Sequence, residues 1–386
     1  MLSPNQCSIL CALLLLCLPL VILFTTTTTT ITNTNQTTTF LSTNTQHNNS
    51  SNQTTTTTKD EDDDETLFIV ANNHTKQKPT WPRKLAFMFL TTTPLPFASL
   101  WESYFNKIPK NLFNIYIHAD PTISYDPPFS GVFFNRLIPS KPPSRFSSTL
   151  TAAARRLLAW ALIDDNSNYI FILLSSSCIP LHSFNFTYQT LVNSNKSFIE
   201  ILKNETGFHD HWAARGTNAM LPMIKLEDFR IGSQFWALTR KHARLVVRDR
   251  KIWPKFHIPC VLYGMCYLEE NYFPTLINMW DPNGSVNATL THVNWKGRYD
   301  GHPRTYLAYE ICPELIWALR RDRPRYGNED NESNVSIPLQ SPHMILGDDI
   351  NDIWRRRDPF LFARKFSSDC LQPLIEIADG GVIFED

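Results

Sequence analysis

Length and charge set the first limits on this chain of 386 residues and 44.5 kDa, in which 42% of the residues are hydrophobic. The 36 Lys and Arg residues balance the 36 Asp and Glu residues, and there is no basic arm, zinc-finger spacing or glycine-rich phosphate loop. With 26 Pro, only 12 Gly and no internal repeat, the sequence is neither collagen-like nor a repeat array. It has the composition of one or two globular domains, and no nucleic-acid partner is expected.

The N-terminus is dominated by an uninterrupted apolar run over residues 7–24, which follows a short tail at residues 1–6. As a helix, the run would be about 27 Å long, close to the roughly 30 Å hydrocarbon core of a bilayer. The alternative is a cleavable signal peptide, but its apolar region is typically about 7–15 residues and ends in small residues, whereas this run continues into threonines. We therefore predict a single-span, uncleaved membrane anchor with a cytosolic tail at residues 1–6.

Residues 25–80 have the composition of a disordered stem. More than half of residues 25–58 are Thr, and most others are Asn, Ser or Gln, so the segment buries too little apolar surface to offset the entropy of ordering it. The acidic block Lys59–Glu65 is predicted to belong to this solvated linker, because consecutive acids on a disordered chain have no fixed metal-coordination geometry. The globular domain is then predicted at residues 81–386.

Glycosylation sequons are the best indication of which side of the membrane the domain occupies. Such sites are modified only on chains that enter the secretory lumen, so they predict a luminal domain and a type II topology. The alternative is that an Asn- and Thr-rich sequence contains sequons by chance, and adhesion or receptor proteins share the layout of anchor, stem and body. The sequons are at Asn35, Asn48, Asn49, Asn52, Asn73, Asn185, Asn195, Asn204, Asn283, Asn287, Asn331 and Asn334.

Predicted strands and helices alternate at the start of the domain. Continuous apolar runs at Lys84–Leu90, Phe113–His118 and Tyr169–Leu174 are typical of strands buried on both faces of a parallel sheet. Helices are predicted at Phe97–Phe105 and Leu150–Ile163. This alternation predicts a Rossmann-like α/β fold that binds ligands beyond the carboxyl ends of its strands. We call that edge the rim, and it is predicted to contain Thr91–Thr93, His118–Asp120 and Ser175–Cys178.

Several short motifs follow one another along the domain: KLAFMFL, NIYIHADP, ARRLLAWALI, FILLSSSCIPL, GSQFWALTR, CYLEENYFPTLI and FLFARKF. Together they resemble the plant branch of the core-2/I-branching β-1,6-N-acetylglucosaminyltransferase family over residues 84–375. The resemblance implies a GT-A fold, a type II Golgi membrane protein, and a metal-independent, inverting glycosyltransferase without a cofactor. It also implies a UDP-sugar donor, carrying N-acetylglucosamine or glucuronic acid, and a glycan acceptor on a glycoprotein or proteoglycan.

Inverting transfer needs a base for the attacking acceptor hydroxyl and positive charge to stabilise the departing diphosphate. Glu269 and Glu270 precede an apolar, helix-like segment, and Glu270 occupies the position of the family's catalytic glutamate. Without the resemblance, the two acids would be an ordinary favourable helix N-terminus. The resemblance therefore implies that Glu270 is the catalytic base.

Basic side chains are expected to bind the diphosphate, because D-x-D spacing, which holds the metal in metal-dependent GT-A enzymes, occurs only inside the acidic block of the stem. Lys365 matches the family's diphosphate-binding lysine, although lysines beside apolar strands also extend into water without a ligand. Arg304 is the better match for the partner arginine, and Arg298 is the alternative. No metal site is expected.

The resemblance also implies nucleobase-binding or acceptor-binding roles for three further residues. Asp120 corresponds to the family's uracil-binding Asp, although Asp before Pro is also a good turn residue. Trp295 and Glu200 correspond to acceptor-binding residues, although a tryptophan is more commonly part of a core. Cys260 and Cys266 either form a local disulfide before Glu270 or remain two free thiols.

Four positions differ from the polar or charged residues that the plant relatives usually carry. If the replaced groups contact the donor, donor preference changes or activity falls. The alternative function is therefore a catalytically weak or inactive paralogue that binds nucleotide sugars or glycans at the membrane. The four positions are Thr92, Ala152, Ala154 and Ser176.

Overall fold

A computed structural model describes residues 59–74, 80–145, 147–203, 205–297, 302–327 and 358–385. All of them belong to one compact unit, Thr57–Asp386. The predicted anchor, residues 7–24, and the stem segment at residues 25–58 lie outside the described residues. Within the described ranges, no helix combines the length and apolar character needed to cross a bilayer.

Helices and short strands alternate along the described residues. The helices are α1 (Lys59–His74), α2 (Ala98–Phe105), α3 (Ser148–Asp164), α4 (Phe184–Ser194), α5 (Phe208–Ala213), α6 (Arg240–Arg248), α7 (Trp253–His257), α8 (Leu268–Trp280), α9 (Pro313–Arg321) and α10 (Leu371–Asp379). The strands are β1 (Lys84–Thr91), β2 (Phe113–Ala119), β3 (Asn168–Ser175), β4 (Ile179–Pro180), β5 (Ser197–Phe198), β6 (Ala237–Thr239), β7 (Ser285–Val286), β8 (Thr291–Val293) and β9 (Phe362–Arg364).

The main sheet has the strand order β2-β1-β3-β6-β5-β7. Strands β1, β2 and β3 are parallel, and β5 is parallel to β7, whereas β6 runs antiparallel to both of its neighbours. The predicted parallel α/β core is confirmed, and its mostly parallel arrangement fits a GT-A-like fold. A second, smaller sheet has the order β4-β9-β8.

The first strand shows why its apolar run is continuous. Leu85 and Phe87 pack with α2 in one hydrophobic core, whereas Ala86 and Met88 pack with α3 in the core on the opposite face. All four side chains are fully buried. Alternate residues of a strand project to opposite faces, so a sheet covered by helices on both sides requires apolar residues at every position.

The rim forms where β1, β2 and β3 end. The Asp120 N–H donates to the Thr91 carbonyl at 3.1 Å, and the Thr93 and Ser176 hydroxyl oxygens lie 3.1 Å apart. Residues that follow three neighbouring strands are therefore within hydrogen-bonding distance of one another, as the sequence predicts for parallel strands.

Helix α1 differs from the disordered stem that was predicted to continue to residue 80. The acidic block is the beginning of this helix, which packs against α3 and α6. Phe68 is 4% exposed and Ala71 is fully buried. Burial of these apolar residues offsets the ordering entropy that the acidic block alone does not offset. Residues 59–74 are therefore part of the folded unit.

Candidate functional site

The backbone of Glu270 is held by a contact that Pro274 makes available. Proline has no N–H, so the Glu270 carbonyl, four residues earlier in α8, lacks its usual helical donor. The Gly232 N–H donates to this carbonyl at 2.8 Å. A Cβ on Gly232 would lie 1.9 Å from the Glu200 carbonyl oxygen, so only glycine fits between the two segments. Gly232 therefore holds the backbones of Glu200 and Glu270 close together.

A disulfide between Cys260 and Cys266 closes the loop that precedes α8. This resolves the choice between a disulfide and two thiols. Within the loop, the N–H groups of Val261 and Leu262 donate to the Ala214 carbonyl at 2.8 and 3.0 Å. The segment that leads into Glu270 is thus attached to the residue that follows α5.

Three carboxyl groups lie close together at the start of α8 and the end of β5. Burial, Glu269 and Glu200, in that order, raise the pKa of Glu270 to about 8, and Arg364 and Arg145 oppose this rise. Burial also raises the pKa of Glu269, which is 6% exposed. The pKa of Glu200 is raised by burial although Arg325 lies 3.5 Å from its carboxylate. A carboxyl group whose pKa is raised in this way, such as Glu270, is suited to accept a proton near neutral pH.

The small sheet brings positively charged groups to the same place. Strands β8 and β9 are parallel, so Trp295, which follows β8, and Lys365, which follows β9, leave the sheet at the same edge. Strand β4 pairs with β9, placing Cys178 near Arg364. The pKa of Lys365 is lowered by partial burial and by the charges of Arg364 and Arg145. Lys365 therefore lies in a cationic region next to the carboxyl groups.

Arg364 is a candidate ligand-binding residue that sequence reasoning missed. Its guanidinium stacks 4.5 Å from the Phe235 ring centroid, and its Nε is buried without a hydrogen-bond partner. Among the described residues, no side chain or backbone group accepts a hydrogen bond from it. Burial lowers its pKa, which Glu270 and Cys178 partly counteract. A desolvated guanidinium with free donors is suited to bind an anion, and its adjacency to Lys365 in FLFARKF was the available signal.

Arg145 and Arg215 are two further missed cations. Arg145 influences the pKa of Glu269 and Glu270, and its Nη1 lies 3.3 Å from His302 Nε2. Arg215 is 3% exposed, and among the described residues none of its guanidinium nitrogens has a hydrogen-bond partner. Burial lowers its pKa to about 10, and the charge of the nearby Glu269 partly opposes this fall. Neither arginine stands in a recognisable motif, and only the fold brings them to the carboxyl groups.

Arg304 is near the cationic region but already paired. Its guanidinium forms a salt bridge with Glu310 and lies 5.1 Å from the Tyr306 ring centroid. The Tyr306 N–H donates to the Lys365 carbonyl at 2.8 Å, so this loop runs beside Lys365. To bind a diphosphate, Arg304 would have to exchange or share Glu310. The alternative, Arg298, lies outside the described residues.

Asp120 is fixed at the rim by its own turn. One carboxylate oxygen accepts from the Thr122 N–H at 2.9 Å and from the Thr122 hydroxyl at 2.7 Å. The side chain is 8% exposed, and its second carboxylate oxygen has no partner among the described residues. Asp120 is therefore a turn residue, as the alternative interpretation of the sequence predicts, and its uracil-binding role stays a prediction.

The exposed face of the site includes Trp295, which is 51% exposed. This exposure excludes the alternative that it is a core tryptophan, and an exposed indole ring can stack on a sugar. The geometry thus brings Glu200, Glu270, Trp295 and Lys365 to one region, with Asp120 on the rim of the main sheet.

The four positions that depart from the family pattern have different environments. Ala154 is 2% exposed and packs in the core, whereas Thr92 is exposed and Ala152 is half-buried. Ser176 is part of the rim contact with Thr93. Thr92 and Ser176 are thus the two of these positions at which a rim side chain can reach a ligand.

Among the described residues, no cluster of three His, Cys, Asp or Glu side chains has a metal-binding arrangement. The chemistry supported by the described side chains is proton transfer at a carboxyl group with a raised pKa, beside guanidinium and ammonium groups that can stabilise an anion. Such a combination serves the transfer of a group away from a phosphate.

Comparison with known proteins adds independent information. Residues 85–320 match the family model described as Core-2/I-Branching enzyme. The chain is also similar to glycosyltransferase BC10 of Oryza sativa subsp. japonica, with 26% identity over 341 residues that cover 80% of each protein. The family match includes Asp120, Glu200, Glu270, Trp295 and Arg304 and ends before Lys365.

Proposed function

The chain belongs to the Core-2/I-branching enzyme family, and on this premise we propose that it is an inverting glycosyltransferase. It transfers a sugar from a UDP-sugar donor to a hydroxyl group of a glycan acceptor on a glycoprotein or proteoglycan. N-acetylglucosamine is the preferred donor sugar in this proposal, and glucuronic acid is the alternative, because both are presented on the same UDP group.

The observation that carries the proposal is the position of Glu270 between other carboxyl groups and Arg364. Ionised Glu270 takes the proton of the acceptor hydroxyl as its oxygen attacks the anomeric carbon. The bond between that carbon and the diphosphate oxygen breaks, and the leaving electron pair stays on UDP. Because burial raises the Glu270 pKa to about 8, the carboxylate is a stronger base than an exposed glutamate.

Positive side chains take the role of a metal ion in this proposal. Lys365 and Arg364 are adjacent, both are partly desolvated, and neither has a hydrogen-bond partner for its charged group among the described residues. Their charges stabilise the diphosphate more strongly in a partly buried site than they would in water. Arg304 contributes only if the diphosphate competes with Glu310.

The remaining predicted ligands define the two ends of the substrate. Asp120 accepts a hydrogen bond from the uracil N–H through its unused carboxylate oxygen, and Trp295 stacks on the acceptor sugar. Glu200 accepts hydrogen bonds from acceptor hydroxyl groups. These three roles follow from the family resemblance and are supported by the rim position of Asp120 and the exposure of Trp295.

We further propose that the protein is a type II, single-span Golgi membrane protein with a luminal catalytic domain. The apolar run at residues 7–24 and the downstream sequons support this location. The disulfide between Cys260 and Cys266 also supports it, because structural disulfides form in oxidising compartments.

A donor screen tests the proposed function. Detergent-solubilised full-length protein is incubated with a panel of UDP-sugars and glycan acceptors, with and without EDTA, and UDP release and product mass are measured. We expect transfer from one UDP-sugar that EDTA does not reduce. Loss of activity that Mn²⁺ restores would contradict the metal-independent mechanism. UDP binding without turnover would favour the inactive paralogue, for which the changed rim residues Thr92 and Ser176 are the supporting observation.

A further inference from the structure

The acidic helix α1 has no role in the chemistry described so far, yet it is firmly attached to the domain. It packs along α3 and α6 and buries Phe68. The Phe68 ring lies 4.5 Å from the guanidinium of Arg155, a fully buried residue of α3. A segment that served only as a spacer would have no reason to supply a core residue.

Asp64 of α1 is the counter-charge of another buried residue of α3. The Nε and Nη2 atoms of Arg156, which is 4% exposed, donate to the two Asp64 carboxylate oxygens at 3.0 and 2.5 Å. Among the described residues, Arg156 pairs with no other carboxylate. Two parallel hydrogen bonds fix the plane of a guanidinium as well as its position.

The third terminus of the same guanidinium points to the rim. Arg156 Nη1 lies 3.0 Å from His118 Nε2, and the backbone N–H of Lys141 approaches that nitrogen at 3.4 Å. Both groups are donors, so Nε2 is an acceptor and the imidazole is neutral. Lys141 Nζ also lies 3.2 Å from Asp64, which ties the same loop to α1.

His118 connects this chain of contacts to the nucleotide end of the site. It is buried at the last position but one of β2, and Asp120 directly follows the end of this strand, two residues later. Asp64 thus binds Arg156, and Arg156 contacts His118. The backbone of His118 leads directly to Asp120.

We propose that Asp64 is a positioning residue, through which α1 holds the rim at Asp120 in the arrangement that binds the nucleotide. This inference rests on the proposed function for the role of Asp120 in binding UDP. Without the Asp64 charge, a buried guanidinium loses its counter-ion and moves toward other acceptors. His118 and the turn at Asp120 then lose their fixed neighbour.

The first test does not depend on UDP. Hydrogen–deuterium exchange is measured by mass spectrometry on the full-length chain and on its Asp64→Asn variant. The matched control is Glu65→Gln, which removes the next acid of α1, whose partner Arg250 is 42% exposed. We expect Asp64→Asn to speed exchange about tenfold in the peptide that contains residues 117–123. An equal effect of both variants, or an increase throughout the domain, would overturn the positioning role.

The second test measures UDP affinity of the same three proteins by calorimetry. We expect Asp64→Asn to weaken UDP about tenfold and Glu65→Gln to leave it unchanged. Faster exchange at residues 117–123 with unchanged affinity would overturn the proposal. If the wild-type chain binds no UDP, the proposed function fails, and the exchange result still decides whether Asp64 orders the rim.

A double variant keeps the test decisive if Asp64→Asn folds poorly. Asp64→Asn combined with Arg156→Met removes both charges and leaves an apolar side chain of similar length, a replacement that is often tolerated. We expect normal thermal stability, fast exchange at residues 117–123 and weak UDP binding. Normal exchange and normal affinity in this variant would show that the contact only neutralises charge.

Discussion

Replacement of Glu270 by Gln separates the electrostatic cost of this side chain from its proposed role as the base. Gln preserves the size of the side chain and most of its hydrogen bonding but cannot ionise. In the folded protein, burial and the neighbouring carboxyl groups raise the Glu270 pKa from 4.5 to about 8. Ionisation of Glu270 therefore opposes folding.

The pH dependence follows from the sign of this shift. Below about pH 4.5, Glu270 is protonated in both the folded and the unfolded chain, and Glu270→Gln has little effect on stability. Between pH 4.5 and 8 the unfolded chain loses this proton more readily, so the wild type becomes progressively less stable than the variant. The full pKa difference corresponds to at most about 5 kcal/mol. Because the side chain is partly exposed, we expect about 2 kcal/mol at pH 8.

Differential scanning fluorimetry at pH 5 and pH 8 measures this effect. Relative to wild type, Glu270→Gln should raise Tm by about 4 °C at pH 8 and by much less at pH 5. The control is Glu227→Gln, which changes an exposed acid that pairs with Lys225 at the surface. An equal Tm difference at both pH values would refute the argument that burial raises this pKa.

The same variant tests the base in a transfer assay. UDP binding should persist while turnover falls about 10²–10⁴-fold, the usual effect of losing a general base. For the wild type, kcat/KM should rise with pH up to about 8 as Glu270 ionises. Transfer by Glu270→Gln at the wild-type rate would refute the assignment and make Glu269 the next candidate.

Three further predictions concern the diphosphate ligand, the backbone of the site and the topology. Lys365→Ala should weaken UDP binding, measured by calorimetry, about ten- to a hundredfold. The control Lys225→Ala, which changes an exposed lysine, should have no effect. Equal UDP affinities of Lys365→Ala and the wild type would contradict the diphosphate role. Gly232→Ala should reduce transfer and lower Tm, because the added Cβ would clash with the Glu200 carbonyl. The control Gly264→Ala, whose Cβ would have no atom within 4 Å, should behave as wild type. Normal activity and Tm of Gly232→Ala would show that the segments of Glu200 and Gly232 separate easily. Glycosidase treatment of membranes should increase the mobility of the protein, and an unglycosylated cytosolic product would contradict the type II topology.

The central strands could be predicted from sequence because each is covered on both faces. Continuous apolar runs identify β1 and β3 to within one residue of their observed ends. The strands β5 and β7 contain two residues each, and their pairing depends on distant segments, so no local pattern marks them. Helix α1 could not be predicted from composition, because the many acidic residues in its first turns indicate a solvated linker and conceal the contribution of the buried Phe68.

Individual site residues differ in how far sequence could place them. Glu270 and Lys365 stand in recognisable motifs, and their roles remain predictions. The exposure of Trp295 and the pairing of Arg304 with Glu310 depend on tertiary packing. The burial of Arg364 likewise depends on β8, β9 and Phe235 coming together, although these segments are far apart in sequence.

Pro274 favours the backbone arrangement of the candidate site at the expense of helix stability. A residue with an N–H at this position would let α8 close its own hydrogen bond to the Glu270 carbonyl and would raise helix propensity by up to about 3 kcal/mol. Gly232 would then have to share its acceptor, and the contact that sets Glu200 beside Glu270 would weaken. Selection for a more stable helix would therefore disfavour this site, and stabilising designs for this domain should leave Pro274 unchanged.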